Sequence, residues 1–123
     1  MTEDILGTFN LDDEIKRYPP EDDAAGRRAE TLLKTDHLRV VLVTMRAGSE
    51  LHEHLAPGAI TIHVLRGELT IVVGEHEHAL AAGGLISLAP GVRHALRARS
   101  DGAFLLTIAM PAKANTAAAG DPA

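Results

Sequence analysis

The chain has 123 residues, of which 46% are hydrophobic, and it contains no cysteine. This length suits one domain with a core of its own, and the missing thiols exclude disulfides, thiol redox chemistry and cysteine-ligated zinc. The acidic residues are concentrated in residues 1–23, and the rest of the chain is close to neutral. With no basic stripe and few aromatic residues, the composition argues against nucleic-acid binding. The start of the chain lacks a basic, apolar leader and no apolar run is long enough to span a bilayer, so we expect a cytoplasmic protein without membrane contact.

The two ends of the chain differ from its middle. Residues 1–28 are predicted to form an acidic arm, in which Asn10 can cap a short helix over Leu11–Arg17 because acidic residues follow in the first turn. The same residues also fit a partly ordered arm without a helix, and Pro19 and Pro20 end any helix before them. Residues 111–123 are small, polar and alanine-rich, which is typical of a disordered tail.

The segment 29–110 has the pattern of a β domain. Short runs of apolar and β-branched residues are separated by breaks that contain glycine or proline, which is typical of an all-β barrel or sandwich. The predicted strands, in chain order, are Ala29–Lys34, Leu38–Arg46, Ala59–Arg66, Leu69–Val73, His76–Leu80, Leu85–Leu88, His94–Arg99 and Ala103–Met110.

Histidines supply the candidate chemistry. His52 and His54 are two residues apart in an extended segment, and strand alternation would direct both rings to one face, as a divalent metal needs. For an isolated pair, two surface histidines on a strand are the simpler interpretation. The tripeptide His-Glu-His occurs again at residues 76–78, on the outgoing strand of a predicted hairpin, where we expect a plain surface strand.

Two longer stretches resemble the two conserved motifs of the cupin superfamily. The first runs from Gly48 through the His-Glu-His tripeptide to a strand that ends in the turn at Gly67. The second has a glycine before a strand, then the turn Pro90-Gly91, and then His94. The two motifs in this order and at this separation are much more specific than either alone, and the resemblance covers roughly residues 29–110.

The resemblance implies an all-β double-stranded β-helix, the cupin or jelly-roll barrel, with a short N-terminal arm and often a dimeric assembly. It also implies that His52, His54 and His94 bind one divalent metal ion at the mouth of the barrel, with zinc, manganese, iron, nickel and copper all open. The family includes dioxygenases, isomerases, epimerases, lyases, decarboxylases and non-enzymatic binders, so the fold does not decide the function.

The chain departs from the family pattern at the acidic metal ligand. That position is Ile60, and residues 55–66 contain no carboxylate, so we predict a three-histidine shell with Ile60 as an apolar wall of the pocket. His63 is the obvious substitute ligand, but alternation directs it away from the face of Ile60 unless the strand carries a bulge.

Three neutral imidazoles would leave the full charge of the metal uncompensated and leave positions open for water, oxygen or a substrate. A catalytic base is harder to find, because alternation points Glu53 away from the metal and Glu50 precedes the ligand pair. Arg46 and Arg93 could meet an anionic substrate, although solvated surface charges are the simpler interpretation.

Two hypotheses for the function follow. The first is a metal-dependent enzyme that acts on an unidentified small molecule, with dioxygenase chemistry as the leading interpretation. The alternative is a non-catalytic, sensor-like cupin that binds a metal or a small ligand. In either case we expect a homodimer, with the apolar strands Val40–Val43 and Ala103–Ile108 as candidates for the subunit face.

Overall fold

The computed structural model describes residues 4–22 and 25–111, and within them it contains one α-helix and nine strands. In chain order the elements are α1 (Leu11–Arg17), β1 (Arg27–Lys34), β2 (Leu38–Met45), β3 (Glu50–His54), β4 (Ile60–Arg66), β5 (Glu68–Val73), β6 (His76–Ala81), β7 (Leu85–Leu88), β8 (His94–Ala98) and β9 (Gly102–Ala109).

The strands form two antiparallel sheets that share one core. The five-stranded sheet has the order β1-β2-β9-β4-β7, and the four-stranded sheet has the order β3-β8-β5-β6. Alternate residues of both sheets point inward, as period-two apolar patterns such as Ile60-Thr-Ile-His-Val64 require. The largest fully buried side chains come from both sheets: Leu42, Met45, Ile62, Val64, Leu69, Ile71 and Phe104. The predicted all-β jelly-roll fold is confirmed.

The strand boundaries follow the predicted ones closely. The first strand begins at Arg27 instead of Ala29, and the extended segment that carries the first His-Glu-His tripeptide is a separate strand, β3. Glycine and proline breaks explain this agreement, since they interrupt strand pairing at fixed points of the chain.

The N-terminal arm contains the predicted helix. The Asn10 side chain accepts a hydrogen bond from the Asp13 N–H at 3.0 Å, and the helix ends at Arg17, with Tyr18 as its C-cap before the two prolines. The arm is attached to the barrel because the Thr44 hydroxyl donates to the Tyr18 carbonyl at 2.7 Å and Asp12 pairs with Arg66. The division into arm, barrel and tail stays a prediction, and the predicted tail lies outside the described residues from position 112 onward.

The strands expected to form a subunit face lie in the interior of their sheet. β2 and β9 are neighbours in the five-stranded sheet, and Leu42, Val43 and Phe104 are buried within the chain itself. The sheet edges are β1 and β7 in one sheet and β3 and β6 in the other. The homodimer therefore stays a prediction. No helix in the described part of the chain is long and apolar enough to cross a membrane.

Candidate metal and ligand site

His54 and His94 form a pair of histidine rings at one end of the barrel. They are cross-strand partners in the antiparallel pair β3–β8, and their ring centroids are 4.4 Å apart with an interplanar angle of 58°. The His94 side chain is almost fully buried, at 2% exposure, whereas His54 is exposed. One ring of the pair thus lies inside the barrel, and the other lies at its solvent-exposed mouth.

The loops on either side of the pair are tied together. The Gly91 N–H donates to the Ala56 carbonyl at 2.9 Å, which connects the loop after β3 with the loop before β8. Gly91 has a φ of 77°, a conformation that favours glycine, and any side chain at Gly58 would collide with the Ala109 carbonyl. The turn at Gly91 thus reaches the loop after β3, and Gly58 lets that loop pack against the end of β9.

Hydrogen bonds to the backbone determine the tautomer of both rings when they are neutral. The His54 Nδ1 lies 2.9 Å from the His52 carbonyl oxygen, and the His94 Nδ1 lies 3.1 Å from the Val92 carbonyl oxygen. A carbonyl can only accept, so each neutral ring carries its proton on Nδ1 and leaves the lone pair of Nε2 free. Backbone carbonyls hold metal-binding histidines in this way.

The buried ring resists protonation. Burial lowers the pKa of His94 below its ordinary value, the hydrogen bond to the Val92 carbonyl raises it in part, and the neighbouring His54 lowers it further. His94 is therefore neutral near pH 7, which is the form that binds metals.

A register shift in β3 separates His52 from this pair. Leu51 pairs with Leu96 and His54 pairs with His94, so β3 uses three steps where β8 uses two. Such a bulge reverses the alternation of side chains that follow it. His52 lines a different depression, together with Arg27 and Glu50. Because of this shift, strand alternation does not place His52 and His54 on one face of β3.

The structure brings together two of the three predicted metal ligands. Within the described residues, 4–22 and 25–111, no group of three or more histidine, aspartate or glutamate side chains is close enough to hold a metal ion. The donor set that is in place consists of two imidazoles with free Nε2 atoms, and it fits a divalent transition metal whose other ligands come from elsewhere.

The histidine pair borders a cavity of about 210 Å³. Its wall includes Ile60, which is only 3% exposed and occupies the position where the resemblance to the cupin motif implies an acidic ligand. The lining residues are Arg39, His54, Leu55, Ala56, Pro57, Ile60, His94, Leu106, Ile108 and Met110. The cavity is therefore mainly apolar and contains no carboxylate.

His63 lies away from the cavity. The pairing of β4 with β9 is regular from Ile60 to Val64, so no bulge turns His63 inward. Ile60, Ile62 and Val64 are buried in the core, and His63 is on the opposite face, half-buried, opposite Leu105. Strand alternation thus predicts the direction of His63 correctly.

The charged residues considered from the sequence lie at other places. Glu53 and Arg93 are exposed and 4.0 Å apart, and neither lines the cavity. Arg46 lies 3.6 Å from Asp22 in a larger depression of about 540 Å³ beneath the N-terminal arm. That depression contains no histidine, so we do not assign the metal chemistry to it.

Arg39 is the cavity residue that the sequence analysis missed. It precedes the apolar run of β2, where a charged residue is easily taken for the exposed start of a strand. The signal was nevertheless present, because Arg39 shares its alternation with Val41, Val43 and Met45, which all face the core.

Comparison with known proteins agrees with the fold and the two motifs. The family model for the cupin domain matches residues 41–110. The chain therefore belongs to the cupin domain family. No curated protein matches the chain significantly.

Solved structures with the same fold include three that show the range of similarity. An RmlC-like cupin from Desulfovibrio desulfuricans is 25% identical, with a TM-score of 0.64 over 89% of this chain and 95% of that one. A conserved protein of unknown function from Streptococcus pyogenes is 24% identical, with a TM-score of 0.67 over 73% and 79%. KdgF from a Halomonas species is 16% identical, with a TM-score of 0.67 over 79% and 92%. Because the activities of such neighbours vary or are unknown, the likeness defines the fold and leaves the chemistry to the site.

Proposed function

We propose that this cupin binds one divalent metal ion at the mouth of its barrel and takes a small molecule into the adjoining cavity. The His54–His94 pair carries the proposal, because the two rings are close together and each is held by a backbone carbonyl at Nδ1 with Nε2 free. Imidazole nitrogens suit zinc, manganese, iron, nickel and copper ions to different degrees.

His52 is the proposed third ligand. Its ring would have to leave the depression beside Arg27 and Glu50, which requires a rearrangement of the bulged and exposed end of β3. A bulge locally interrupts strand pairing and can re-aim a side chain. When bound by imidazoles alone, the metal would supply strong Lewis acidity and open coordination positions.

The cavity favours oxidation of a small molecule, of the dioxygenase type, over hydrolysis. Hydrolysis requires a group that accepts a proton from water, and the cavity wall has no carboxylate. Ile60, Leu106 and Ile108 instead provide an apolar surface that excludes water and orients the apolar part of a substrate. His54, at the solvent-exposed side, is the residue past which a substrate would enter.

Non-catalytic binding of a metal or a small ligand is the alternative. The observation that favours it is the same lack of an acid–base residue in the cavity wall, which would leave a bound molecule without a proton donor or acceptor other than the histidines.

Elemental analysis of protein purified without a histidine tag tests this proposal. We expect close to one equivalent of metal per chain, and iron, copper or manganese would support oxygen chemistry. Redox-inactive zinc would instead favour the non-catalytic alternative. A chain that contains no metal and takes up none of these ions after dialysis would contradict the metal site itself.

A homodimer in the cytoplasm completes the proposal. Exposed sheet edges require covering, and in this chain they are β1, β3, β6 and β7. Light scattering should give the mass of two chains, and a single-chain mass at every micromolar concentration would refute the dimer.

A further inference from the structure

Arg39 occupies a position that faces the inside of the barrel. β2 directs Val41, Val43 and Met45 into the core, and Arg39 precedes them with the same alternation. A charged residue on the inner face of a sandwich is unusual unless a partner compensates it.

Arg39 also stands opposite the histidine pair. In the five-stranded sheet Arg39 is the cross-strand partner of Ile108, and Ile108 is the partner of Ile60. These three residues form one row across the sheet, and all three line the cavity whose other side holds His54 and His94. Arg39 and the histidine pair thus line the same cavity from two different sheets.

The guanidinium group has no partner in the described part of the chain. Its Nε is buried and donates no hydrogen bond. None of the ion pairs among the described residues includes Arg39. Two arginines of the region around β8 behave differently, since Arg93 pairs with Glu53 and Arg97 pairs with Glu77. Buried N–H groups normally have acceptors, so the missing acceptor points to a ligand.

We propose that Arg39 anchors the carboxylate of a small monoanionic ligand that occupies this cavity. The ligand's apolar part would lie on Ile60 and Ile108, and its other end would face the histidine pair. This assignment names the substrate class of the proposed function and rests on the same cavity.

Charge and size select a carboxylate among the possible anions. A single guanidinium group matches the two oxygens of one carboxylate, and no other arginine or lysine lines the cavity. A phosphate dianion would call for more donors. At about 210 Å³ the cavity is below the roughly 300 Å³ at which sites for drug-sized ligands begin, so the ligand is small.

A matched pair of probes tests the inference in metal-free protein. 3-Methylbutanoate and 3-methylbutanamide have nearly the same shape and differ in charge. Their binding to the full chain can be followed by the NMR signals of the Ile60 and Ile108 methyl groups. We expect the carboxylate to bind about tenfold more tightly than the amide or better, because a charge-assisted pair is stronger than a neutral hydrogen bond.

Variants of arginine make the test specific. Arg39→Gln should reduce the preference for the carboxylate to about twofold or less, and Arg39→Lys, which keeps the charge without the planar fork, should keep part of it. Arg97→Gln is the matched control, because it removes an arginine outside the cavity, and it should keep the full preference. The same methyl spectra report whether each variant is folded. If Arg39→Gln does not fold, Arg39→Lys still tests the inference.

Three outcomes would overturn the inference. They are equal binding of the acid and the amide, an unchanged preference in Arg39→Gln, and tighter binding of inorganic phosphate than of the carboxylate at the same methyl groups. Because no metal is present, these outcomes are independent of metal uptake. A chain that binds metal without preferring the acid would refute this inference alone, and a chain that prefers the acid without binding metal would refute only the proposed metal site.

Discussion

The same tripeptide, His-Glu-His, occurs twice in this chain, and its two copies have different surroundings. In β6, His76 and His78 follow a regular pairing with β5 on the edge of the four-stranded sheet, and both are exposed. In β3, the register shift separates His52 from His54 and places His54 against His94. The regular copy keeps its two histidines in step but faces no third histidine, whereas the irregular copy gains a buried one.

The partner strand determines which chemistry the tripeptide can take part in. β8 supplies His94 next to β3, and the turn before His94 is tied to the loop after His54 through the Gly91–Ala56 hydrogen bond. β5 supplies Ile71 and Val73 opposite the second copy. The residues of the tripeptide alone therefore do not define a metal site.

The largest expected effect comes from removing the shared partner. His94→Ala should weaken metal binding by more than about a hundredfold, because loss of a ligand exceeds the 10–100-fold loss that follows from its hydrogen-bonding partners. Isothermal titration of the metal-free protein measures the change. His78→Ala, in the second tripeptide, is the control and should stay within about threefold of the parent. Unchanged binding in His94→Ala would remove the difference between the two copies.

Removing His52 tests whether the bulge rearranges around a metal. If its ring joins the shell as proposed, His52→Ala should weaken metal binding by about tenfold or more. His76→Ala is the matched control, because His76 occupies the first position of the other tripeptide. If His52→Ala binds the metal within about threefold of the parent's affinity, then His52 is not a ligand and the protein supplies only His54 and His94.

A carboxylate introduced at position 60 should strengthen metal binding at the His54–His94 pair. Ile60→Glu would restore an acidic group at the family's ligand position, and we expect it to tighten metal binding by about tenfold, since a carboxylate compensates the charge of the ion. Ile60→Gln keeps the shape without the charge and should not tighten it. His63→Ala should change the affinity by less than about threefold. A large loss of metal in His63→Ala would mean that His63 turns inward.

The smallest effect concerns the stability of the metal-free protein in acid. The pKa of His94 is lower in the folded chain than in the unfolded one, so below about pH 6.5 the unfolded state takes up a proton first. The free energy of unfolding should therefore fall as the pH decreases, by at most about 1.4 kcal/mol per pH unit for this one group. When the free energy of unfolding is measured with urea at several pH values between 7 and 5, it should depend less steeply on pH in His94→Gln than in the parent. His78→Gln should keep the parent's slope, and equal slopes in all three proteins would refute the assignment.

Much of the fold was predictable because local signals agreed with the tertiary structure. Glycine and proline breaks mark the strand ends, Asn10 marks the start of the helix, and the alternation in β4 correctly orients Ile60 and His63. These features depend on short-range sterics and hydrogen bonds, which the sequence contains directly.

The rest of the site depends on pairing between distant strands. The register shift at His52 arises from how β3 aligns with β8, and no residue type within β3 announces it. Arg39 was missed for a related reason, because its inward direction has meaning only once Ile108 and Ile60 are known to lie beside it.

Ring-nitrogen NMR can show directly whether the metal binds at the His54–His94 pair. In metal-free protein labelled with ¹⁵N, we predict that His54 and His94 carry their proton on Nδ1, and that one equivalent of zinc shifts the Nε2 signals of these two rings. The ring signals of His76 and His78 should not change. Zinc shifts at the second tripeptide, with none at His54 and His94, would contradict the account.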